Sequence, residues 1–177
     1  MIFTETPLAG AWTIQPTPLE DERGSFMRVF DAELWREHGL EPAVVQCSVS
    51  FNTRRGTLRG LHFQASPYGE AKLVRCARGA IYDVIVDLRE ASPTYCRWFG
   101  VELTESNRTM LYVPLGLAHG FQTLADASEV HYQMSQTHVE THGRGVRWDD
   151  PAFGIEWPRT DERVMSERDR TYADFRP

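Results

Sequence analysis

Glycine and proline interrupt this chain at short intervals: 13 glycines and 10 prolines are spread along 177 residues. The stretches between them are too short for long helices and are rich in β-branched and aromatic residues. That pattern reads as strands. Strands are expected over residues 44–51, 58–64, 72–77, 80–88, 95–103, 108–113, 120–124 and 128–134. Arg78 and Gly79 form an expected tight turn between two of them. Residues 80–88 have one fully apolar parity (Ala80, Tyr82, Val84, Val86, Leu88) and one mixed parity (Ile81, Asp83, Ile85, Asp87). This predicts one face in a core and one partly polar face. Many short strands joined by turns imply an antiparallel sandwich or barrel.

Helix is confined to the periphery. Residues 31–39 offer Asp31 as N-cap, an acidic first turn and Gly39 as terminator. Residues 104–107 make at most one turn, and a short helix is expected near 166–169. With no repeat, linker or low-complexity tract, one domain over residues 1–177 is the economical reading. A net charge of -6 argues against a nucleic-acid surface, because nothing basic dominates to neutralise phosphates. It leaves room for a local basic pocket. No apolar run is long enough to span a bilayer and no signal-peptide pattern opens the chain, so no membrane partner is expected and the cytoplasm is the default. Cys47, Cys76 and Cys96 lack CxxC spacing and make neither a disulfide framework nor a zinc site. Cys47 and Cys76 lie in strand-like runs and read as small hydrophobes.

The chemistry concentrates in residues 56–72. Arg59 and His62 lie within four residues in a segment that otherwise reads as a buried strand, and Lys72 opens the next strand. Burying Arg, His and Lys together is costly unless something pairs with them. A bound anion with an acidic carbon nearby would satisfy all three. His62 is the candidate general base, helped by a nearby cation that favours its neutral form. Arg59 suits a phosphate, and Lys72 suits negative charge developing on an oxygen. Each has a plainer reading: a satisfied core histidine, or a snorkelling surface cation. Arg59 and His62 also have opposite strand parity, so a regular strand would separate them. Gly60 between them could mark a bulge that restores a common face. Farther on, His119 follows a Pro114–Gly116 turn between the small residues Ala118 and Gly120, which suit close approach of a ligand. Tyr132 in the next strand is either a general acid or a core aromatic with its hydroxyl satisfied.

These segments together resemble the dTDP-4-dehydrorhamnose 3,5-epimerase family, over nearly the whole chain. The pieces that carry the resemblance are residues 21–26, 56–64, 72–75, 79–84, 92–94, 101–103 and 114–121, followed by 144–151, 154–158 and 166–170. The resemblance implies an all-β, cupin-type jelly-roll β-barrel with short peripheral helices. It implies a homodimer with strand exchange, no metal and no other cofactor. The implied substrate is a nucleotide-diphosphate sugar carrying a 4-keto group. In that scheme His62 is the base, Asp169 orients it, Tyr132 is the acid on the opposite ring face and Lys72 stabilises the enolate oxygen. Substrate would be held by Arg59, His119, Gln46, Ser48, His138 and, from a partner subunit, Arg23 with Phe26. Asp83 would support its neighbours from behind.

The chain departs from the family pattern at Arg28, at Cys47 and Ser48, at Thr137 and His138, and at Gly143. Family positions of this kind lie near the nucleotide base, so the departures suggest an altered nucleotide or sugar preference with unchanged proton transfer. Neutral drift with retained dTDP binding is the plainer account. Other readings stay open: a single-centre epimerase or ketoisomerase, a metal-dependent cupin using His62, His119 and Glu70, or a non-catalytic sugar-nucleotide binder.

Overall fold

The computed structural model describes all residues from Met1 to Pro177. In chain order, β1 (Ile2–Glu5), β2 (Trp12–Gln15), β3 (Leu19–Asp21) and β4 (Gly24–Phe26) precede α1 (Ala32–Glu37). Next come β5 (Gln46–Asn52), β6 (Leu58–Gln64), β7 (Lys72–Arg78), β8 (Ala80–Asp87), β9 (Trp98–Thr104) and β10 (Met110–Val113). β11 (Leu117–Thr123), β12 (Ser128–Met134), β13 (Gly143–Gly145) and α2 (Glu167–Arg170) complete the chain.

A six-stranded sheet in the order β1-β2-β10-β7-β12-β5 faces a five-stranded sheet in the order β13-β6-β11-β8-β9. All pairings within the two sheets are antiparallel. The result is an all-β jelly-roll barrel of cupin type. Its interior is filled from both sheets by Val74, Cys76, Ile81, Ile85, Leu111 and Phe121, among others. α1 covers the outer face of the six-stranded sheet, burying Trp35 against Ile14, Leu73 and Met110. Asp31 caps this helix by accepting from the Glu33 and Leu34 backbone N–H groups. The segment after β13 covers the other sheet, packing Val146 and Phe153 on Leu61, Val84 and Val86. No helix is long and apolar enough to cross a membrane.

Three expectations change. In β8 the apolar parity (Val84, Val86) faces outward under the C-terminal segment, while the mixed parity (Ile81, Asp83, Ile85) points into the barrel. Both faces are buried because a second layer of chain covers the outer one. Cys76 is buried as expected, but Cys47 is exposed, because β5 is an edge strand with an uncovered outer face. The first 26 residues, in which no strand was expected, contain four.

Candidate active site

One end of the barrel opens into a cavity of about 800 Å³ between the two sheets. His62 and His119 enter it from β6 and β11 of the five-stranded sheet. Lys72 and Tyr132 enter from β7 and β12 of the six-stranded sheet. Gln46, Ser48 and Arg59 line it as well, as do His138, Gly143 and Asp169.

Arg59 and His62 share this cavity despite their opposite parity. β11 pairs His119 with His62 and then Phe121 with Arg59, so two steps on β11 match three on β6. That is a bulge, and it lies at the expected glycine: Gly60 has φ +117°. The small residues beside His119 have a different task from the expected one. A Cβ on Gly120 would lie 2.6 Å from the Arg59 carbonyl oxygen, so Gly120 lets β6 and β11 approach rather than admitting a ligand.

His62 Nε2 lies 2.7 Å from Asp169 Oδ1. The chain places Asp169 there in two steps. Val164 exchanges backbone hydrogen bonds with Gly56 and Leu58 at the start of β6, which docks the last segment beside that strand. Ser166 then caps α2 by accepting from the Asp169 N–H. Burial pushes the Asp169 carboxyl up, but hydrogen bonds from His62, the Gly60 N–H and Ser166 outweigh it and hold it below the ordinary value. An ionised Asp169 can only accept, so His62 donates from Nε2 and its Nδ1 lone pair, unpartnered within the chain, is left for a substrate proton.

A second histidine–carboxylate pair lies deeper. His119 Nε2 is 2.7 Å from Asp83 Oδ1, and both residues are buried. Burial pushes the Asp83 carboxyl up, against the opposing effect of His119 and Lys72. The other carboxylate oxygen, Asp83 Oδ2, has no hydrogen-bond partner. The Tyr132 ring packs edge-on to His119, with centroids 6.0 Å apart. Burial, then Asp83, raises the Tyr132 phenol, which therefore keeps its proton across the neutral range. Lys72 is buried, 3.1 Å from Glu70 Oε1, so the snorkelling reading does not hold for it. Arg59 Nε donates to Asn52 Oδ1 at 2.7 Å, leaving the outer guanidinium nitrogens toward the cavity.

Some expected residues stay apart. Arg23 pairs with Asp21 on the exposed β3–β4 hairpin, where Phe26 is 74% exposed, and neither lines the cavity of its own chain. Arg28 pairs with Asp31 at the start of α1 and is also outside the cavity. The sequence reading missed Asn52, Gln64, Arg144 and Arg168. Glu70, open above only as a metal ligand, is engaged by Lys72 instead. No three His, Cys, Asp or Glu side chains converge as a metal-holding group. Only the i, i+2 spacing of Glu70 and Lys72 could have signalled their pairing.

Comparison with known proteins gives the family and the fold. The family model described as dTDP-4-dehydrorhamnose 3,5-epimerase covers residues 5–176. A protein of that name from Methanothermobacter thermautotrophicus is 45% identical over 177 residues, spanning 98% of this chain and 94% of the relative. The crystal structure of the Bacillus anthracis dTDP-4-dehydrorhamnose 3,5-epimerase, with TDP and PPi bound, superposes with a TM-score of 0.94 at 38% identity, covering 98% of this chain and 99% of that one. ChmJ, a 3'-monoepimerase from Streptomyces bikiniensis solved in complex with dTDP-quinovose, gives 0.86 at 35% identity, covering 93% of this chain and 83% of that one.

Proposed function

The chain belongs to the dTDP-4-dehydrorhamnose 3,5-epimerase family, and on that premise we propose that it inverts C3 and C5 of a dTDP-linked 4-keto-6-deoxy sugar by proton transfer. The observation that carries the proposal is the placement of His62 and Tyr132 on opposite sheets of one cavity. Inversion needs a proton removed from one face of the sugar ring and another delivered to the opposite face. A base and an acid facing each other across the ring meet that need.

The C4 ketone acidifies the neighbouring C–H groups. His62 takes a proton through Nδ1, becoming a cation that the ionised Asp169 stabilises. The C–H electron pair moves into an enolate whose negative oxygen lies on C4, where the Lys72 ammonium stabilises it. Tyr132 gives its phenolic proton to the carbon from the other face. His62 then releases its proton to water, and Tyr132 regains one. No oxidant or reductant is consumed. Arg59, Arg144 and Arg168 give the cavity a cationic side suited to a diphosphate.

The same reading extends to the surroundings. Ser48, His138 and Gly143 line the cavity, which supports a nucleotide preference set by them, whereas Arg28 pairs with Asp31 outside the cavity of its own chain. Exposed Leu19, Phe26, Val49 and Phe51 suit a homodimer in which the hairpin bearing Arg23 and Phe26 reaches the partner's cavity. We assign the activity to one unit over residues 1–177 working in the cytoplasm.

The test is proton NMR in deuterated water with dTDP-4-keto-6-deoxyglucose. Loss of both the C3 and C5 ring signals is expected. Loss of one alone would replace this reading with the single-centre alternative, which the likeness to ChmJ keeps specific. A folded protein that exchanges neither would refute the proposal for this sugar nucleotide.

A further inference from the structure

Glu70 lies in the wall of the cavity and has no part in the proton transfers described above. Its side chain is only 7% exposed, and that of Lys72 is 10% exposed. Both carboxylate oxygens are used: Oε1 lies 3.1 Å from Lys72 Nζ, and Oε2 accepts from Gln64 Nε2 at 3.1 Å. Gln64 is itself fixed. Its Oε1 accepts from the Val139 N–H at 2.6 Å, which determines the orientation of the amide. The amide nitrogen therefore faces Glu70, together with the Tyr68 and Thr137 carbonyls. A line of defined donors and acceptors thus runs from residue 139 through Gln64 and Glu70 to the Lys72 ammonium.

Asp83 on β8 is also fully buried, but its Oδ2 is unpartnered. The carboxylate in contact with Lys72 is that of Glu70. A buried ammonium needs such a partner, and without it Lys72 has no charged group to fix it where a C4 oxygen must be met. The other ionisable groups around it are His62 on β6, His119 on β11, and Tyr132 on β12. Lys72 also reaches the His62 carbonyl oxygen at 3.4 Å, a long contact that cannot hold it alone.

We infer that Glu70 is a positioning residue for the reaction: its carboxylate, oriented by Gln64, holds the Lys72 ammonium at the cavity. This rests on the assignment of Lys72 to the enolate oxygen. A carboxylate is required because two donors must be met by two acceptors. A glutamine at the same place offers one oxygen and sets its amide nitrogen against the other donor.

The test is a double-mutant cycle of Glu70→Gln and Lys72→Ala, read as kcat and KM for ring-proton exchange, with circular dichroism to establish folding. Misplacing the ammonium by about 1 Å predicts a loss of about 10²-fold in kcat for Glu70→Gln, with KM little changed. In the Lys72→Ala background, Glu70→Gln should change kcat by less than about twofold, because nothing remains to position. Glu70→Asp keeps the charge and therefore guards against a folding failure. Its shorter reach should lower kcat by an intermediate factor. Full multiplicative losses in the cycle, or folded Glu70→Gln and Glu70→Asp proteins with the parent kcat, would overturn the positioning role while leaving Lys72 in place. A Lys72→Ala protein with the parent exchange rate would overturn both assignments, and so separates the two failures.

Discussion

Gly60→Ala is the perturbation that ties the fold most directly to the chemistry. An added Cβ would lie 2.6 Å from Gly120 Cα and 2.8 Å from the His119 carbonyl oxygen. Both are backbone atoms, so no side chain can swing away. Restoring ordinary contact requires β6 and β11 to separate by about 1 Å. Alanine must in addition adopt φ near +117°. Forced backbone conformation costs about 1–3 kcal/mol, and overpacking a similar amount. The sum of about 2–6 kcal/mol corresponds to a fall in Tm of roughly 4–24 °C for a domain of this size. The separation runs between His62 and His119, and it strains the 3.2 Å hydrogen bond from the Gly60 N–H to Asp169. A displacement near 1 Å at a reacting group costs about 10²-fold in rate. Thermal melts followed by C3 and C5 exchange kinetics on the folded fraction measure the two effects separately. A Gly60→Ala protein with unchanged Tm and unchanged exchange would refute the claim that close strand approach at the bulge builds the site.

Three further outcomes are expected. Asp169→Asn should slow exchange less than His62→Ala, for which about 10²–10⁴-fold is expected, because it removes orientation and polarisation but not the base; single-turnover kinetics of the two variants give the ranking. Tyr132→Phe should slow inversion more than it slows deuterium uptake, since proton removal survives without the acid; comparing product stereochemistry with isotope content checks this. Asp87 governs acid stability. Burial pushes its carboxyl up, but hydrogen bonds from Arg89, Ser92 and Thr94 outweigh that and bring it down to about 2. Because the folded value lies below the unfolded one, the stabilisation is present above about pH 4 and is lost as pH falls toward 2. It amounts to about 2 kcal/mol at neutral pH; Asp87→Asn should be less stable by about that much at pH 7 and nearly equal to the parent at pH 2, as read from urea melts.

The strands that alternate cleanly were legible in the sequence. β6 and β12 match the expected bounds, and β7 differs by one residue. The first four strands were not, because they are 3 or 4 residues long and mostly exposed, so burial left little periodicity to read. His62, Lys72, His119 and Tyr132 could be picked out as unusual residues in apolar runs. Their convergence could not, since it depends on a bulge and on which strands join which sheet. The link between His62 and Asp169 spans 107 residues and left no local trace, so only the family resemblance suggested it. Glu70 and Gln64 look like ordinary polar residues beside a turn. Their meaning appears only when Lys72 is found buried against Glu70, which Gln64 in turn holds.

β5 serves two surfaces at once. Residues from Gln46 to Phe51 contribute to the cavity wall, and the same strand ends the six-stranded sheet with its other edge unpaired and its Val49 and Phe51 side chains exposed. A strand tied down along only one edge is freer to breathe than one paired on both. Whatever covers that edge therefore also fixes the width of the substrate chamber. If a second copy of the chain is the cover, dilution loosens the chamber, and protein concentration becomes a variable in the apparent affinity for the sugar nucleotide.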